Sequence, residues 1–407
     1  MKTTLKIAWR NIWRNPRRSW VLITTVAVAV IGYVGTTSFT RGFMYEMVNS
    51  AIRYYGGHIQ IIPEGYDIKP NIQLRLSHPD RMAEALARVP GIHFAPLVTF
   101  KGMASSSEAS GGVVINGIDP QKERQVTILS EKIIAGDYFE SETANAAVIG
   151  EELAERLNVR LGEKIILMAS ALDQNIASGA FRVVGIFRTV STDFDRAFVF
   201  IRLDDAQKLI GYQDEITAFS IHLQQGYDLQ QTVGRLRETL PPGDFKIQTW
   251  RERNPVLVLS LEVYEYFIFL FLLIIVTAVA FTIVNSFLMV IYERIREFGV
   301  MMAMGVLPKR IRRMLYWETL FLTLIGSTVG IVLSYFIFGY WRRHGLDLSA
   351  TSDALGKLGI STVIYPEILM SDLLIGLGVI VSLTWIAVLY PAYKASRFHV
   401  VDALNFV

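Results

Sequence analysis

Four long apolar runs constrain the fold of this chain more than any other feature. They lie at residues 20–40, 266–292, 314–339 and 368–389. Each run is long enough to cross about 30 Å of hydrocarbon as a helix. The mean hydropathy of +0.35 is high for a water-soluble protein but low for a chain made only of membrane helices. The sequence therefore predicts an α-helical membrane domain of four transmembrane helices plus one large domain, residues 41–255, outside the bilayer.

The distribution of charge predicts the orientation of these helices. Residues 1–19 carry six Lys or Arg and no acidic residue, and residues 293–313 carry six more. Basic residues in short loops favour the cytoplasmic side. We therefore expect both termini, the tail at 390–407 and the 293–313 connection in the cytoplasm. The large domain and the nearly charge-balanced loop at 340–367 are then extracytoplasmic.

The N-terminal residues 1–19 predict an amphipathic helix at the membrane surface. Two tryptophans, Trp9 and Trp13, share a face with aliphatic residues, and four cations lie beside them. This composition suits the headgroup layer. A retained anchor is expected rather than a cleaved signal peptide, because TTSFTRGF follows the first apolar run instead of a small-x-small cleavage site.

The large domain alternates strand-like and helix-like segments. The Gly56-Gly57 turn precedes the strand-like HIQII, and Pro90-Gly91 ends a helix-like segment. Such alternation without a repeated βαβ unit is typical of an α+β domain. We expect two lobes, with residues 116–215 inserted into the other lobe.

The connection at 293–313, ERIREFGVMMAMGVLPKRIRR, is too regular for a simple turn. Gly305 offers a helix stop, and Pro308 can begin the next helix. Its apolar residues recur at helical spacing and form one stripe: Ile291, Ile295, Phe298 and Met302. The charged residues lie off that stripe. The segment predicts a short amphipathic helix under the membrane that docks on a soluble partner, or alternatively a basic connector that only fixes topology.

The outer half of the second apolar run offers a candidate substrate cavity. Residues 267–276, FIFLFLLIIV, are purely apolar and would suit acyl chains rather than ions. Two acidic residues flank the outer entry at a spacing that places them on one face, and the first run carries small residues that permit close contacts. The candidate cavity residues are Gly32, Gly35, Glu262, Glu265, Leu270 and Ile274. The alternatives are packing within one subunit and an ordinary interfacial belt.

The sequence carries no pattern that favours an enzyme. There is no P-loop of the G-x-x-x-x-G-K-[ST] type, so this chain does not bind ATP in that way. The six histidines have no metal-ligand spacing, and there is no cysteine. Asp193 and Asp195 are interpreted as a turn before a strand. We expect a non-catalytic chain, with no metal or cofactor of its own, that depends on another polypeptide for energy.

Three parts of the chain resemble one family. The pattern E-R-x-R-E-x-G-x-x-x-A-x-G, starting at Glu293, is similar to that of the FtsX-like ABC permeases, which include the MacB-type exporters and the lipoprotein-releasing permeases. The tail YPAYKASRFHVVDAL, residues 390–404, resembles the family's C-terminal motif but has Val400 where a proline is usual. The order of GGHIQI, VIGEELAERL and VVGIF resembles the external domain of the lipoprotein-releasing permeases.

This resemblance implies a MacB-type permease fold in which the 293–313 hairpin is a coupling helix that contacts a separate ATP-binding subunit. ATP and Mg²⁺ would be bound by that partner. The residues that the resemblance assigns to the contact are Glu293, Arg294, Arg296, Glu297, Gly299, Ala303, Gly305 and Lys309.

The implied function is extraction of lipoproteins from a bacterial inner membrane toward a periplasmic acceptor, by mechanical transmission driven by ATP hydrolysis. The implied partners are an ATPase dimer, a second permease (identical or paralogous), membrane lipids and lipid-anchored cargo, with no nucleic acid. Two alternatives stay open. One is MacB-like efflux of peptides or drugs, and the other is a non-transporting transmitter that controls a periplasmic peptidoglycan hydrolase.

Overall fold

The computed structural model describes residues 2–14, 16–68, 70–140, 144–351, 355–356 and 361–395. The chain divides into two compact units. The helical unit contains the described residues of 1–44, 261–347 and 363–407, and the β-sheet unit contains those of 45–260 and 348–362. The tail motif beyond residue 395, with Val400, lies outside the described residues.

Two helices open the chain, α1 (Lys2–Arg14) and α2 (Pro16–Tyr54). The one-sided pattern predicted for the N-terminus is confirmed, because α1 buries Ala8 and Ile12 completely and leaves its tryptophans about half exposed. Helix α2 continues well past residue 40, where the sequence predicted the large domain to begin. It ends before Gly56 and Gly57, whose positive φ angles of 94° and 81° break the helix.

The β-sheet unit contains one ten-stranded mixed sheet. Its strands are β1 (Ile59–Pro63), β2 (Ile92–Ser105), β3 (Ser110–Ile118), β4 (Ile133–Gly136), β5 (Ala146–Gly150), β6 (Lys164–Ser170), β7 (Ile176–Phe187), β8 (Phe198–Arg202), β9 (Ala218–Leu223) and β10 (Phe245–Thr249). The order is β10-β1-β9-β2-β3-β8-β5-β7-β4, with β6 pairing to both β2 and β7. The β3–β8 and β5–β7 pairs are parallel, and the other pairs are antiparallel.

Short helices connect these strands. They are α3 (Pro79–Leu86), α4 (Pro120–Glu123), α5 (Glu151–Leu157), α6 (Thr192–Ala197), α7 (Leu203–Ile210), α8 (Leu229–Thr239) and α9 (Trp250–Arg253). Polar caps fix where several of them begin. The Asp228 side chain accepts a hydrogen bond from the backbone N–H of Gln231 at the start of α8, and Thr249 forms a capping box with Glu252 at the start of α9.

The structure has one continuous sheet where the sequence predicted two lobes. Strand β3, which crosses the expected boundary at residue 116, pairs with β2 on one side and with β8 on the other. The main core likewise joins both stretches, because Leu86, Ile115 and Leu167 are fully buried in one cluster. Strand pairing between distant segments leaves no mark on local periodicity, so the sequence pattern did not reveal this continuity.

The rest of the chain forms α10 (Pro255–Glu293), α11 (Ile295–Ala303), α12 (Pro308–His344), a two-stranded pair of β11 (Leu346–Asp347) with β12 (Val363–Ile364), and α13 (Met370–Ala395). By length and composition, α2, α10, α12 and α13 could each cross a membrane. Helices α2 and α12 lie close together at two glycines of α12. A Cβ atom added at Gly326 would lie 2.8 Å from the Cβ of Val26, and one at Gly330 would lie 2.7 Å from the Cβ of Val30. Small residues of this kind permit close helix packing in lipid.

Candidate coupling hairpin and lipid-facing helix

The connection between α10 and α12 is an amphipathic helix, as its sequence predicted. Helix α11 buries Ile295 and Phe298, and Ile291 at the end of α10 lies in the same cluster. Gly305, with φ of 89°, follows the helix, and Pro308 begins α12. The apolar stripe therefore fixes the hairpin against the helical unit and leaves the opposite side exposed.

One ion pair lies within the hairpin, and one ion pair and one weaker approach connect it to other helices. The Nε atom of Arg294 lies 2.9 Å from an oxygen of Glu297, and its NH1 atom lies 3.9 Å from Glu318 of α12. Glu297 also approaches Arg14 of α1 at 3.3 Å. The guanidinium of Arg294 lies 5.5 Å from the ring centre of Phe298. A displacement of α11 would thus be felt by both α1 and α12.

Two of the expected contact residues point inward, which corrects the sequence prediction. The Arg294 side chain is only 12% exposed, because it reaches toward Glu318. Gly299 is buried because it lies on the same side of α11 as Ile295, four residues earlier. Glu297 is partly exposed but is engaged by Arg14 and Arg294. The remaining expected contact residues are exposed: Glu293, Arg296, Ala303, Gly305 and Lys309.

The exposed side of the hairpin also carries apolar residues that the sequence prediction missed. Val300, Met304 and Leu307 are 46%, 71% and 59% exposed. Val300 lies in the last turn of α11, and Met304 and Leu307 lie in the turn that leads into α12. Apolar residues surrounded by charges are typical of the centre of a protein-binding surface. We call Val300, Ala303, Met304 and Leu307 the hairpin tip.

Helix α10 leaves much of its apolar surface uncovered. In the most apolar 18-residue stretch of each helix, 17% of residues are buried in α10 and 50% are buried in α2. Leu270 and Ile274 of the predicted cavity are 48% and 55% exposed. Leu272 and Val276, in contrast, are buried against α2, because they lie on the other side of the helix. The FIFLFLLIIV run therefore has one inner side and one outer side, and the outer side includes Phe267, Phe269 and Leu273.

The two glycines of the predicted cavity have different surroundings. Gly32 is exposed, and a Cβ added there would have Ile275 at 3.9 Å as its nearest neighbour. A Cβ at Gly35 would lie 2.6 Å from the ring of Phe338 on α12. Gly35 therefore packs closely against α12 within this subunit, where the sequence predicted that it lines the cavity.

Several charged side chains lie close together near Tyr264 of α10. Glu262 and Glu265 are both exposed there. Arg41 of α2 lies 3.8 Å from Glu265 and 3.3 Å from Asp372 of α13, whose side chain is 14% exposed. The sequence suggested the two glutamates but not Arg41 or Asp372, because ion pairs between residues more than 200 positions apart have no local signal. The Arg41–Glu265 pair, in which the glutamate is 63% exposed, contributes little stability.

The β-sheet unit has several buried titratable groups that serve structure. Burial raises the pKa of Asp195 to about 6, although its carboxylate accepts hydrogen bonds from the backbone N–H and the hydroxyl of Thr189. Burial also raises the pKa of Glu123, which accepts hydrogen bonds from Thr127 and Tyr138 and lines a cavity of about 170 Å³. These partners leave both carboxylates engaged in hydrogen bonds.

A histidine pair lies beside the Gly56-Gly57 turn. The rings of His58 and His222 are 4.6 Å apart, and His58 Nδ1 accepts a hydrogen bond from the backbone N–H of Leu223. Burial lowers the pKa of His58 to about 4, with a smaller contribution from His222. Arg253, before α10, donates to the carbonyls of Gly56 and Gly57 at 3.5 and 3.1 Å. Within the described part of the chain, no three His, Asp or Glu side chains are grouped to hold a metal ion.

Comparison with known proteins places the chain in a family. Residues 268–400 match the FtsX-like permease C-terminal family, and residues 19–239 match the MacB-like periplasmic core domain. The chain belongs to the FtsX-like permeases that carry a MacB-like periplasmic core domain, so the resemblance seen in the sequence is confirmed. It is an ABC transporter permease of the type that includes the lipoprotein-releasing permeases.

Two curated relatives align with almost the entire chain. The lipoprotein-releasing system transmembrane protein LolC of Xylella fastidiosa is 22% identical and covers 95% of this chain and 94% of its own length. LolE of Haemophilus influenzae is 22% identical and covers all of both chains. The crystal structure of the periplasmic region of MacB from Actinobacillus actinomycetemcomitans has a TM-score of 0.37 at 14% identity, covering 49% of this chain and 91% of that one.

Proposed function

We propose that this permease extracts lipoproteins from a bacterial inner membrane and passes them toward a periplasmic acceptor. The observation that carries the proposal is the uncovered apolar side of α10, which includes Leu270 and Ile274. Near full-length similarity to proteins named as parts of lipoprotein-releasing systems supports the same substrate class.

The uncovered side of α10 suits acyl chains. Each methylene transferred from water to an apolar site contributes about 0.8 kcal/mol. A lipoprotein already has its chains in lipid, so the site needs to compete only with the bilayer and can release its cargo after a modest change in shape. Two permeases, identical or paralogous, would enclose the cargo between their α10 helices, with Gly32 and the Glu262–Glu265 rim beside it.

In this proposal, ATP hydrolysis by a partner subunit moves the hairpin. A dimeric cytoplasmic ATPase, which binds ATP and Mg²⁺, docks on the hairpin tip and on the charged residues around it, such as Glu293 and Arg296. Movement of α11 is then transmitted to α1 through Glu297–Arg14 and to α12 through Arg294–Glu318. This coupling requires that the ATPase bind the two permease states with different affinities. The permease itself is non-catalytic.

The charge distribution supports both termini and the hairpin in the cytoplasm and the β-sheet unit in the periplasm. Single cysteines in place of the exposed residues Gln121 and Lys309 test this orientation, because the chain has no other cysteine. An impermeant thiol reagent applied to spheroplasts should label the first and spare the second. Labelling of the Lys309 site would reverse the orientation.

The substrate assignment is tested by release from proteoliposomes that contain the permease, its ATPase and a triacylated lipoprotein. Ile274→Asp should reduce release by tenfold or more and spare basal ATP hydrolysis, because about 2.5–3.5 kcal/mol is needed to place a charge at a bilayer centre. The matched control is Val332→Asp on α12, whose side chain is 48% exposed. Equal loss in both variants, or transport of a soluble peptide instead of the lipoprotein, would reject the assignment.

A separate experiment tests whether the hairpin tip binds the ATPase. Met304→Glu places a charge in the hairpin tip and should weaken ATPase binding by about tenfold, the size expected for one apolar contact at the centre of an interface. Met370→Glu at the start of α13 is the control, since Met370 is similarly exposed at 68%. Unchanged ATPase binding and cargo-stimulated hydrolysis in Met304→Glu would mean that the hairpin is only a connector.

A further inference from the structure

A groove between α12 and α13 lies beside the hairpin and has no role in the account above. It encloses about 650 Å³. One wall is the first three turns of α12, and the other is the stretch of α13 that contains Val381, Ser382 and Trp385. The groove lies entirely within the helical unit.

The α12 wall changes in chemical character along its length. Three cations come first, Lys309, Arg312 and Arg313. Tyr316 and Trp317 follow one turn further, and Leu320 lies one turn beyond them. Because residues spaced by three and four lie on one face of a helix, the wall runs from charged through aromatic to apolar over about 16 Å.

The α13 wall follows the same gradient. Trp385 lies opposite Tyr316, with their ring centres 5.8 Å apart. Val381, one turn before Trp385 on α13, lines the apolar part of the groove with Leu320. The aromatic level on both walls is thus the boundary between a basic entrance and an apolar interior, as tryptophan and tyrosine provide at membrane interfaces.

The three cations carry charge that no carboxylate balances within the described ranges. Among the described residues none of them forms an ion pair with a carboxylate, whereas nearby Arg294 approaches both Glu297 and Glu318. Three positive charges at the entrance of an otherwise apolar groove favour an anion that carries a long apolar body. A basic pocket between membrane helices is a general means of holding acidic lipid headgroups.

We propose that the groove binds one anionic phospholipid from the leaflet on the hairpin side of the membrane. Its phosphate lies at Lys309, Arg312 and Arg313, its glycerol region at Tyr316 and Trp385, and its acyl chains along Leu320 and Val381. A soluble protein partner would reach the cations but would leave the apolar interior empty. The site is distinct from the α10 surface and does not depend on the proposed cargo.

Fluorescence quenching tests this site in the full-length permease reconstituted in phosphatidylcholine bilayers. Brominated phosphatidylglycerol should quench Trp385 with saturation at a low mole fraction, while brominated phosphatidylcholine should quench it only in proportion to its abundance. The Trp385 signal is isolated by subtracting the spectrum of Trp385→Phe. The double variant Arg312→Gln, Arg313→Gln should weaken the preference for phosphatidylglycerol roughly tenfold to thirtyfold, since each surface cation contributes about fivefold.

The chain supplies a matched control at the other end of the same helix. Arg342 and Arg343 are an exposed pair in the last turn of α12, outside the groove. Arg342→Gln, Arg343→Gln should leave the quenching curve unchanged. Three results would overturn the proposal: equal quenching by both lipids, equal loss of preference in both double variants, and loss of quenching in excess inorganic phosphate, which would indicate a free-phosphate site. Displacement of the lipid by bound ATPase subunit would equally assign the groove to that protein.

Discussion

The β-sheet unit and helix α10 use large apolar side chains in opposite ways. In the β-sheet unit Phe187 and Phe219 are almost completely buried and contact other aromatic rings. In α10 Phe269 and Phe281 are 66% and 68% exposed. The β-sheet unit buries its large apolar side chains within one chain, and α10 does not. Apolar surface that a chain leaves uncovered marks where lipid, another subunit or cargo must lie.

This contrast predicts the largest difference between two substitutions of the same type. Phe187→Ala should lower the free energy of unfolding of the β-sheet unit by about 3–5 kcal/mol, because it leaves a cavity in a packed core. Phe269→Ala removes a ring from an exposed position and should change stability by less than about 0.5 kcal/mol. Hydrogen exchange at the amides of β5 and β7 measures the first, and thermal unfolding in detergent measures the second. Similar losses of stability in the two variants would contradict the difference in burial between the β-sheet unit and α10.

Neighbouring leucines on α10 sharpen the comparison within a single helix. Leu272 is 9% exposed and packs in the cluster with α2, whereas Leu273 is 52% exposed. Leu272→Ala should destabilise the helical unit by about 2 kcal/mol, and Leu273→Ala should have an effect below about 0.5 kcal/mol. The thermal midpoint of the purified permease reports both. A larger loss for Leu273→Ala would mean that α10 is rotated about its axis relative to this structure.

The smallest effect concerns pH and the self-contained β-sheet unit. The pKa of His58 is about 4 in the folded protein, below its ordinary value of 6.5. Between these values the unfolded chain binds more protons, so the free energy of unfolding falls as pH drops from 6.5 to 4 and is fully restored above 6.5. The ring is only partly buried, so we expect at most about 1 kcal/mol. His58→Gln should flatten this slope in hydrogen exchange of β1 and β9, and substitution of the exposed His78 by Gln should not.

Local patterns predicted several elements of this fold. The apolar stripe predicted α11, and the Gly305 stop and Pro308 start are where the sequence placed them. The glycine pair at 56–57 correctly marked the start of a strand. These features depend on backbone geometry and on side chains within one or two turns, which a single sequence reveals directly.

Contacts between distant segments could not be predicted in the same way. The inward turn of Arg294 depends on Glu318, and the close packing at Gly35 depends on Phe338, which is about 300 residues away. Helical periodicity indicates that α10 has two sides but not which side packs against α2. The sequence therefore predicted an apolar surface on α10 but not that Gly35 packs against Phe338 within this chain.

Site-specific photocrosslinking on α10 tests the central claim most directly. A photoreactive amino acid at Ile274, on the uncovered side, should crosslink to a triacylated lipoprotein in membranes that contain the complete transporter. The same group at Leu272 should instead crosslink within the permease, because that side faces α2. The crosslinked product at Ile274 should disappear when the acyl chains of the lipoprotein are removed. Crosslinking of Ile274 only to bulk phospholipid or to a soluble peptide, with the lipoprotein absent from the products, would contradict it.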